Sequence, residues 1–196
     1  MPAEFRAIRR VRAMEFRWAL VACAGVLVFG TLKGIVVAII VSMTGLASQA
    51  AHPRVSVIGR KRGADVLRPL LPEHPDDETF QGLLIVRPEG RLFFVNAQIV
   101  GERVSALVAK HRPRVLALDM SRVSDIECSA LQALIDGERR IAERGVGLWL
   151  AGLNPGVLEA VRSSGLDRQF GPERLLFNAR AAIARHQAMA AEAGGR

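Results

Sequence analysis

The sequence predicts an α/β domain carried behind an N-terminal transmembrane helical hairpin. Two observations carry the prediction. The apolar excess of the chain is concentrated between Trp18 and Ala51, where Lys33 is the sole charged residue. From Gly82 onward, short apolar runs alternate with stretches of helical periodicity, and glycine, proline and asparagine punctuate them. Strands alternating with helices imply a sheet with helices packed on it.

Composition bounds the reading. The chain has 196 residues, 50% of them hydrophobic, and a net charge of +8 with arginine far outnumbering lysine. A mean hydropathy of +0.21 is high for a soluble domain. The two cysteines, Cys23 and Cys128, lie far apart in dissimilar contexts and form no disulfide framework. His52, His74, His111 and His186 are too dispersed for a local metal-ligand motif.

Residues 1–17 form a basic flank containing Arg6, Arg9, Arg10, Arg12 and Arg17. Residues 18–51 form the membrane segment, and the run Gly30-Thr31-Leu32-Lys33-Gly34 places a break in its middle. Split there, the two helices measure roughly 18 Å and 25 Å, short of a ~30 Å hydrocarbon core. A second basic cluster, Arg54, Arg60, Lys61 and Arg62, follows the segment. Positive charge on both flanks puts both ends on the cytoplasmic side of the inner membrane. Two alternatives stay open: a single tilted anchor, and a signal peptide with Ser48-Gln49-Ala50 as a weak cleavage site. In each, topology explains the N-terminal charge, and no nucleic-acid partner is required.

Residues 52–81 read as a linker with one short apolar stretch, Val55–Ile58. Its acidic cluster Asp76-Asp77-Glu78 has no calcium-loop spacing and reads as a solvated turn. The domain itself spans 82–190. "LLIVRPEGRLFFVNA" predicts two strands around a Pro88-Glu89-Gly90 turn, and Asn96 caps a helix running toward Lys110. "VLALD" is a strand covered on both faces. A helix from about Ser129 to Glu143 closes at Gly145, and "VGLWLAGL" is a further buried strand. Asn154 and Pro155 open a helix that Gly165 ends; a strand at "LLF" and a helix from Asn178 complete the order.

The junction "LALDMSRVSDIECSAL" is the candidate functional stretch. Asp119 ends a strand, and Asp125 to Ser129 enters a helix whose first turn offers unpaired N–H groups. Asp125, Glu127 or Ser129 can each cap it, which is the ordinary structural explanation. The small residues Cys128, Ser129 and Ala130 also leave the backbone open to a partner or a covalently attached group. Asp119, Ser121, Asp125, Glu127, Cys128 and Ser129 are therefore the candidate regulatory loop, with Ser129 the phospho-acceptor. A phosphate there suits the helix dipole and repels the neighbouring carboxylates, a switch of surface charge. Nucleophilic catalysis lacks a nearby base, and acidic neighbours oppose a reactive Cys128 thiolate. No enzyme activity, catalytic residue, metal or cofactor is predicted.

The motifs "RPEGRLFFVNA", "LDMSRVSDIECSAL" and "GLWLAGLNPGVLEAVRSSGL" resemble the STAS domain at the cytoplasmic end of SulP-type anion transporters. "EFRWALVACAGVLVFGTLKGIVVAIIVSM" is similar to the last two short membrane helices that precede it. The resemblance implies a mixed sheet with packed helices beneath the membrane, homodimerisation, and a membrane core of earlier helices in which the anion sits. One hairpin cannot enclose an aqueous path. The chain then reads as the C-terminal part of a sulfate-type transporter, without that core. Its partners are the membrane, the missing core and a regulatory protein. The alternatives are a standalone tethered STAS module and an anti-sigma factor antagonist-like switch. In such antagonists the loop reads Asp-Ser-Ser/Thr-Gly. Here Glu127, Cys128, Ser129 and Ala130 stand in those places, and Ser129 alone can accept phosphate.

Overall fold

The computed structural model describes residues 13–194, with side-chain positions from 32 to 192. The basic flank through Arg12 lies outside the described residues. Two compact units divide the chain at Ala51/His52.

The first unit contains one helix, α1 (Ala13–Ala51), of 39 residues. It runs uninterrupted through Gly30 and Gly34, where the sequence predicts a break and a hairpin. A helical glycine costs about 1 kcal/mol relative to alanine, which weakens a helix without ending it. In apolar surroundings a break would leave backbone N–H and C=O groups unpaired. Continuity therefore wins over the glycine pair. An uninterrupted helix has no turn at which the chain would re-enter, so the expected return to the same side of the membrane does not follow from it. Leu32–Ala51 forms a 20-residue stretch with mean hydropathy 1.8. At 1.5 Å per residue it spans roughly 30 Å, one hydrocarbon core. Leu32, Ile35, Val36, Ile39, Ile40, Met43 and Leu46 are all exposed on it.

The second unit is a six-stranded mixed sheet ordered β2-β1-β3-β5-β7-β8. Its strands are β1 (Val55–Arg60), β2 (Leu67–Pro69), β3 (Leu83–Pro88), β5 (Val115–Asp119), β7 (Gly147–Ala151) and β8 (Leu175–Leu176). β3, β5, β7 and β8 are parallel, while β1 pairs antiparallel with β2 and β3. Strand alternation divides the core between the two faces. Leu84, Val86, Leu116, Leu118, Leu148 and Leu150 point to one layer of helices. That layer holds α2 (Phe94–His111), α3 (Cys128–Ala142), α4 (Pro155–Ser163) and α5 (Leu166–Phe170). Leu83, Ile85, Val115, Ala117 and Trp149 point the other way, against Ala179, Ala182 and Ile183 of α6 (Ala179–Gly194). With helices on both faces, β5 is buried at all five positions, which is why it reads as a continuous apolar run.

Most junctions follow local chemistry. Asn154 Oδ1 accepts from Val157 N at 2.9 Å to cap α4, and Asn178 Oδ1 accepts from Ala181 N at 2.9 Å before α6. Gly145 takes φ 74° after α3. Asn96 departs from expectation: α2 begins at Phe94, so Asn96 lies within the first turn and is fully buried. Its Oδ1 accepts from Phe93 N at 3.0 Å, and its Nδ2 donates to Arg91 O at 2.8 Å. It thus caps from inside the helix.

The stretch expected as a linker is part of the sheet. Val55–Arg60 joins β3, and two ion pairs fasten the loop beyond it. Arg68 grips Asp77 with a two-pronged fork at 2.8 and 2.7 Å, and Arg60 Nε donates to Glu78 Oε2 at 2.8 Å. The acidic cluster is therefore only partly a solvated turn: Asp76 is exposed, while the Asp77 side chain is 2% exposed. The Arg68 hydrogen bonds hold the Asp77 carboxyl below the usual carboxylate range, against the opposing effect of burial. A depressed carboxyl contributes stability that is complete above its unfolded value of about 3.9 and is lost as pH falls through the folded value. Asp77→Asn is expected to lower Tm at neutral pH, with the gap to wild type closing below about pH 4. Thermal melts across that range check this.

Candidate regulatory loop

β5 ends at Asp119, and Asp119 faces inward. Its side chain is 2% exposed and is held by Arg87 on β3, whose Nε and Nη2 lie 2.8 and 2.7 Å from Oδ2. The other carboxylate oxygen accepts from Ser121 N at 3.1 Å, turning the chain into a 3-10 helix (Met120–Arg122). Gly152, just after β7, makes room for this turn. It takes φ 69°, and a Cβ there would come within 3.2 Å of both Asp119 Oδ1 and Ser121 Cβ.

The loop continues as β6 (Val123–Ile126), which pairs in parallel with the short strand β4 (Gly90–Leu92). β4 belongs to this second, two-stranded sheet, so the two strands around the Pro88-Glu89-Gly90 turn lie in different sheets and do not pair with each other. Val123 and Ile126 are buried while Ser124 and Asp125 face out. Asn154 ties the far side, with Nδ2 donating to Val123 O at 2.7 Å and Ser124 O at 3.2 Å. One asparagine thus caps α4 and anchors β6, a dual role that needs both its donor and its acceptor.

At the mouth of α3, Glu127 occupies the N-cap position without a side-chain cap hydrogen bond. Its carboxylate is 3.0 Å from Arg91 Nη2, and Asp125 Oδ2 is 2.9 Å from Arg91 Nε. A single guanidinium from β4 therefore bridges both acidic residues of the loop and offsets their mutual repulsion. Asp125 Oδ1 also accepts from Ile126 N at 2.9 Å. Cys128 and Ser129 follow, both exposed in the first turn of α3, and Ala130 is buried behind them.

The six predicted site residues therefore separate. Asp125 and Glu127 meet at Arg91, with Cys128 and Ser129 exposed next in the chain and Ser121 exposed beside Asp119 and Gly152, whereas Asp119 is internal and organises the turn. Arg87, Arg91 and Asn154 were not anticipated as parts of the loop. One signal was present: Arg87 stands alone in an apolar strand, and a buried arginine needs a carboxylate partner. Among the described residues, no cluster of three or more histidine, cysteine, aspartate or glutamate is placed to hold a metal ion.

A family model described as the STAS domain matches residues 74–182. Sulfate transporter 1.1 of Arabidopsis thaliana is 25% identical over 187 residues, covering 90% of this chain and 29% of that protein. The chain thus spans less than a third of the length of the sulfate transporters it resembles. A solved structure of the murine Slc26a9 anion transporter in the inward-facing state superposes with a TM-score of 0.76 at 20% identity. It covers 93% of this chain and 30% of that one. An anti-sigma factor antagonist from Mycobacterium paratuberculosis gives a TM-score of 0.51 at 19% identity, covering 70% of this chain and 96% of that one. These structural likenesses are of fold.

Asp119→Ala leaves the Arg87 charge buried without its partner, and a loss of about 3–5 kcal/mol is expected in denaturant unfolding. Arg91→Ala breaks only half-exposed pairs and is expected to cost about 1 kcal/mol or less. A substitution at Asp119 no more costly than Arg91→Ala would contradict the structural role given to Arg87 and Asp119.

Proposed function

The chain belongs to the STAS domain family, and we propose that it forms the C-terminal part of a SulP-type anion transporter. In this reading α1 lies in the cell membrane and the STAS domain stands on its cytoplasmic side as a regulatory and interaction module. The observation that carries the reading is the extent of the match to sulfate transporters. It covers 90% of this chain and so reaches beyond the STAS domain into the apolar helix. The residues described here do not include an anion-binding core. Sulfate-type transport belongs to the assembly with that core, supplied by the same polypeptide or by a separate chain.

The exposed surface of Ser121, Asp125, Glu127, Cys128 and Ser129 is the proposed contact for a regulatory protein, with Ser129 as phospho-acceptor. At the N-terminus of α3 a phosphate on Ser129 would be favoured by the helix dipole and would meet Asp125 and Glu127 as like charges. Arg91, already bridging those carboxylates, is the nearby cation that such a phosphate would draw upon. The second reading is a standalone tethered STAS module. An anti-sigma antagonist-like switch is favoured less, because Glu127, Cys128 and Ala130 depart from the loop that such proteins carry.

The size of the native product in isolated membranes, detected with an antibody to residues 82–185, separates the two principal readings. The transporter reading expects a band much larger than 21.3 kDa, and a band at that mass would favour the separate module. For the loop, Ser129→Glu is expected to change the set of proteins captured with the chain from those membranes. An unchanged set would remove the regulatory role assigned to Ser129.

A further inference from the structure

α2 leads into β5 and α3 into β7, and these two strands are parallel, so both helices end at the amino edge of the sheet. There Gly82 O accepts from Arg114 N at 2.8 Å, and Arg114 O accepts from Gly147 N at 2.9 Å. The segments entering β3, β5 and β7 thus stand side by side. Lys110, Arg112, Arg114, Arg140 and Arg144 collect at this edge, all exposed. None of their side chains forms a hydrogen bond or ion pair among the described residues. Glu143, exposed after the last turn of α3, is the carboxylate next to them in the chain. Cations in the last turn of a helix complement its dipole, which accounts for Lys110 and Arg140. That effect fades outside the last turn, and Arg112, Arg114 and Arg144 lie past the helix ends.

Arg112 is held there against local preference. Its φ of 46° and ψ of 53° are left-handed, and among the described residues it alone has a positive φ without being glycine. Such backbone favours glycine, and the turn after α3 uses Gly145 at φ 74°. Pro113 follows, buried, and the residue before a proline is pushed toward extended backbone. Arg112 N donates to Val108 O at 2.8 Å, a helix-ending bond that glycine would make equally well. The fold therefore accounts for the backbone at this position and not for an arginine on it.

Guanidinium groups match carboxylates and phosphates with paired N–H donors. Placement decides among the anions that could use them. The chain enters the domain at Val55, paired with Pro88 at the carboxyl end of β3, so the basic edge is the one remote from the entry. That favours a partner in solution over a lipid headgroup. Single-stranded nucleic acid calls for exposed rings on which bases stack. The exposed rings of the domain, Phe94 and Phe177, open α2 and follow β8, both at the carboxyl edge. We infer that the amino edge of the sheet binds an acidic polypeptide segment, rich in aspartate and glutamate, with Arg112 as an anchoring cation. The surface lies at the opposite end of α3 from the candidate regulatory loop and does not depend on the transporter reading.

The test uses the full chain in phosphatidylcholine nanodiscs and a fluorescein-labelled deca-glutamate peptide, with binding read by fluorescence anisotropy at about 0.1 M salt. Arg112→Gly is expected to weaken binding about tenfold without lowering Tm, because glycine suits the backbone there. Arg122→Ser removes the same charge from the carboxyl edge and is expected to leave the affinity unchanged. Absence of binding to the wild-type chain, equal losses in the two variants, or an affinity that Arg112→Gly does not change would overturn the inference. A lowered Tm in Arg112→Gly would also overturn it, by showing that the arginine serves the fold. Equal or tighter binding of a labelled oligouridylate of the same length would assign the edge to nucleic acid instead.

Discussion

The burial of the parallel sheet on both faces is the constraint from which the rest of the domain follows. β5 is enclosed along its whole length, so its first opportunity to carry polar chemistry is at its carboxyl end. There Asp119 cannot stand unpaired, because an isolated carboxylate in such surroundings is too costly. Arg87, on the neighbouring strand and itself 13% exposed, supplies the counter-charge. The pair closes the top of the sheet and directs the chain outward through Ser121. Gly152 completes the arrangement from the next strand, because a side chain at that position would occupy the space of the turn.

Above this fixed turn the loop is lightly held. β6 pairs with β4 at only two positions, one asparagine ties its far side, and the acidic residues Asp125 and Glu127 lean on Arg91, which is more than half exposed. The contrast in burial separates foundation from surface. Ion pairs at the base carry large penalties when broken, whereas exposed pairs contribute little and exchange partners readily. A surface on which one guanidinium balances two carboxylates is suited to respond to added charge, because the arginine can be redistributed without disturbing the sheet below.

The helix layer shows a different economy of space. Against the sheet, α2 and α3 pack through Val100, Val104, Val108, Leu131 and Ile141, all buried. Along the seam where they face each other, glycine, alanine and serine leave a slot instead of an interlock. α1 has its own logic, since its exposed apolar surface needs an apolar surround and its continuity keeps every interior backbone group bonded.

The sequence by itself determined what is local. The strands at Leu83–Pro88, Val115–Asp119 and Gly147–Ala151 were legible because apolar runs of that length, between glycine and proline, have few alternatives. Asn154, Gly145 and Gly165 marked helix ends through capping and positive φ, which are properties of single residues. The loop Asp125–Ser129 was legible as a strand-to-helix junction, and the motifs around it carried the family. Tertiary structure decided the pairings. Val55–Arg60 mixes Ser56, Gly59 and Arg60 among its apolar residues and does not declare itself a strand until β3 lies beside it, and β4 found β6 across a long sequence separation instead of its neighbour. Arg87 with Asp119, Arg91 with Asp125 and Glu127, and Arg68 with Asp77 are contacts between segments whose charges appear unrelated in the linear order. The apparent break at Gly30–Gly34 yielded to helix continuity, because a residue's propensity is about 1 kcal/mol and the hydrogen bonds of a long apolar helix together exceed it.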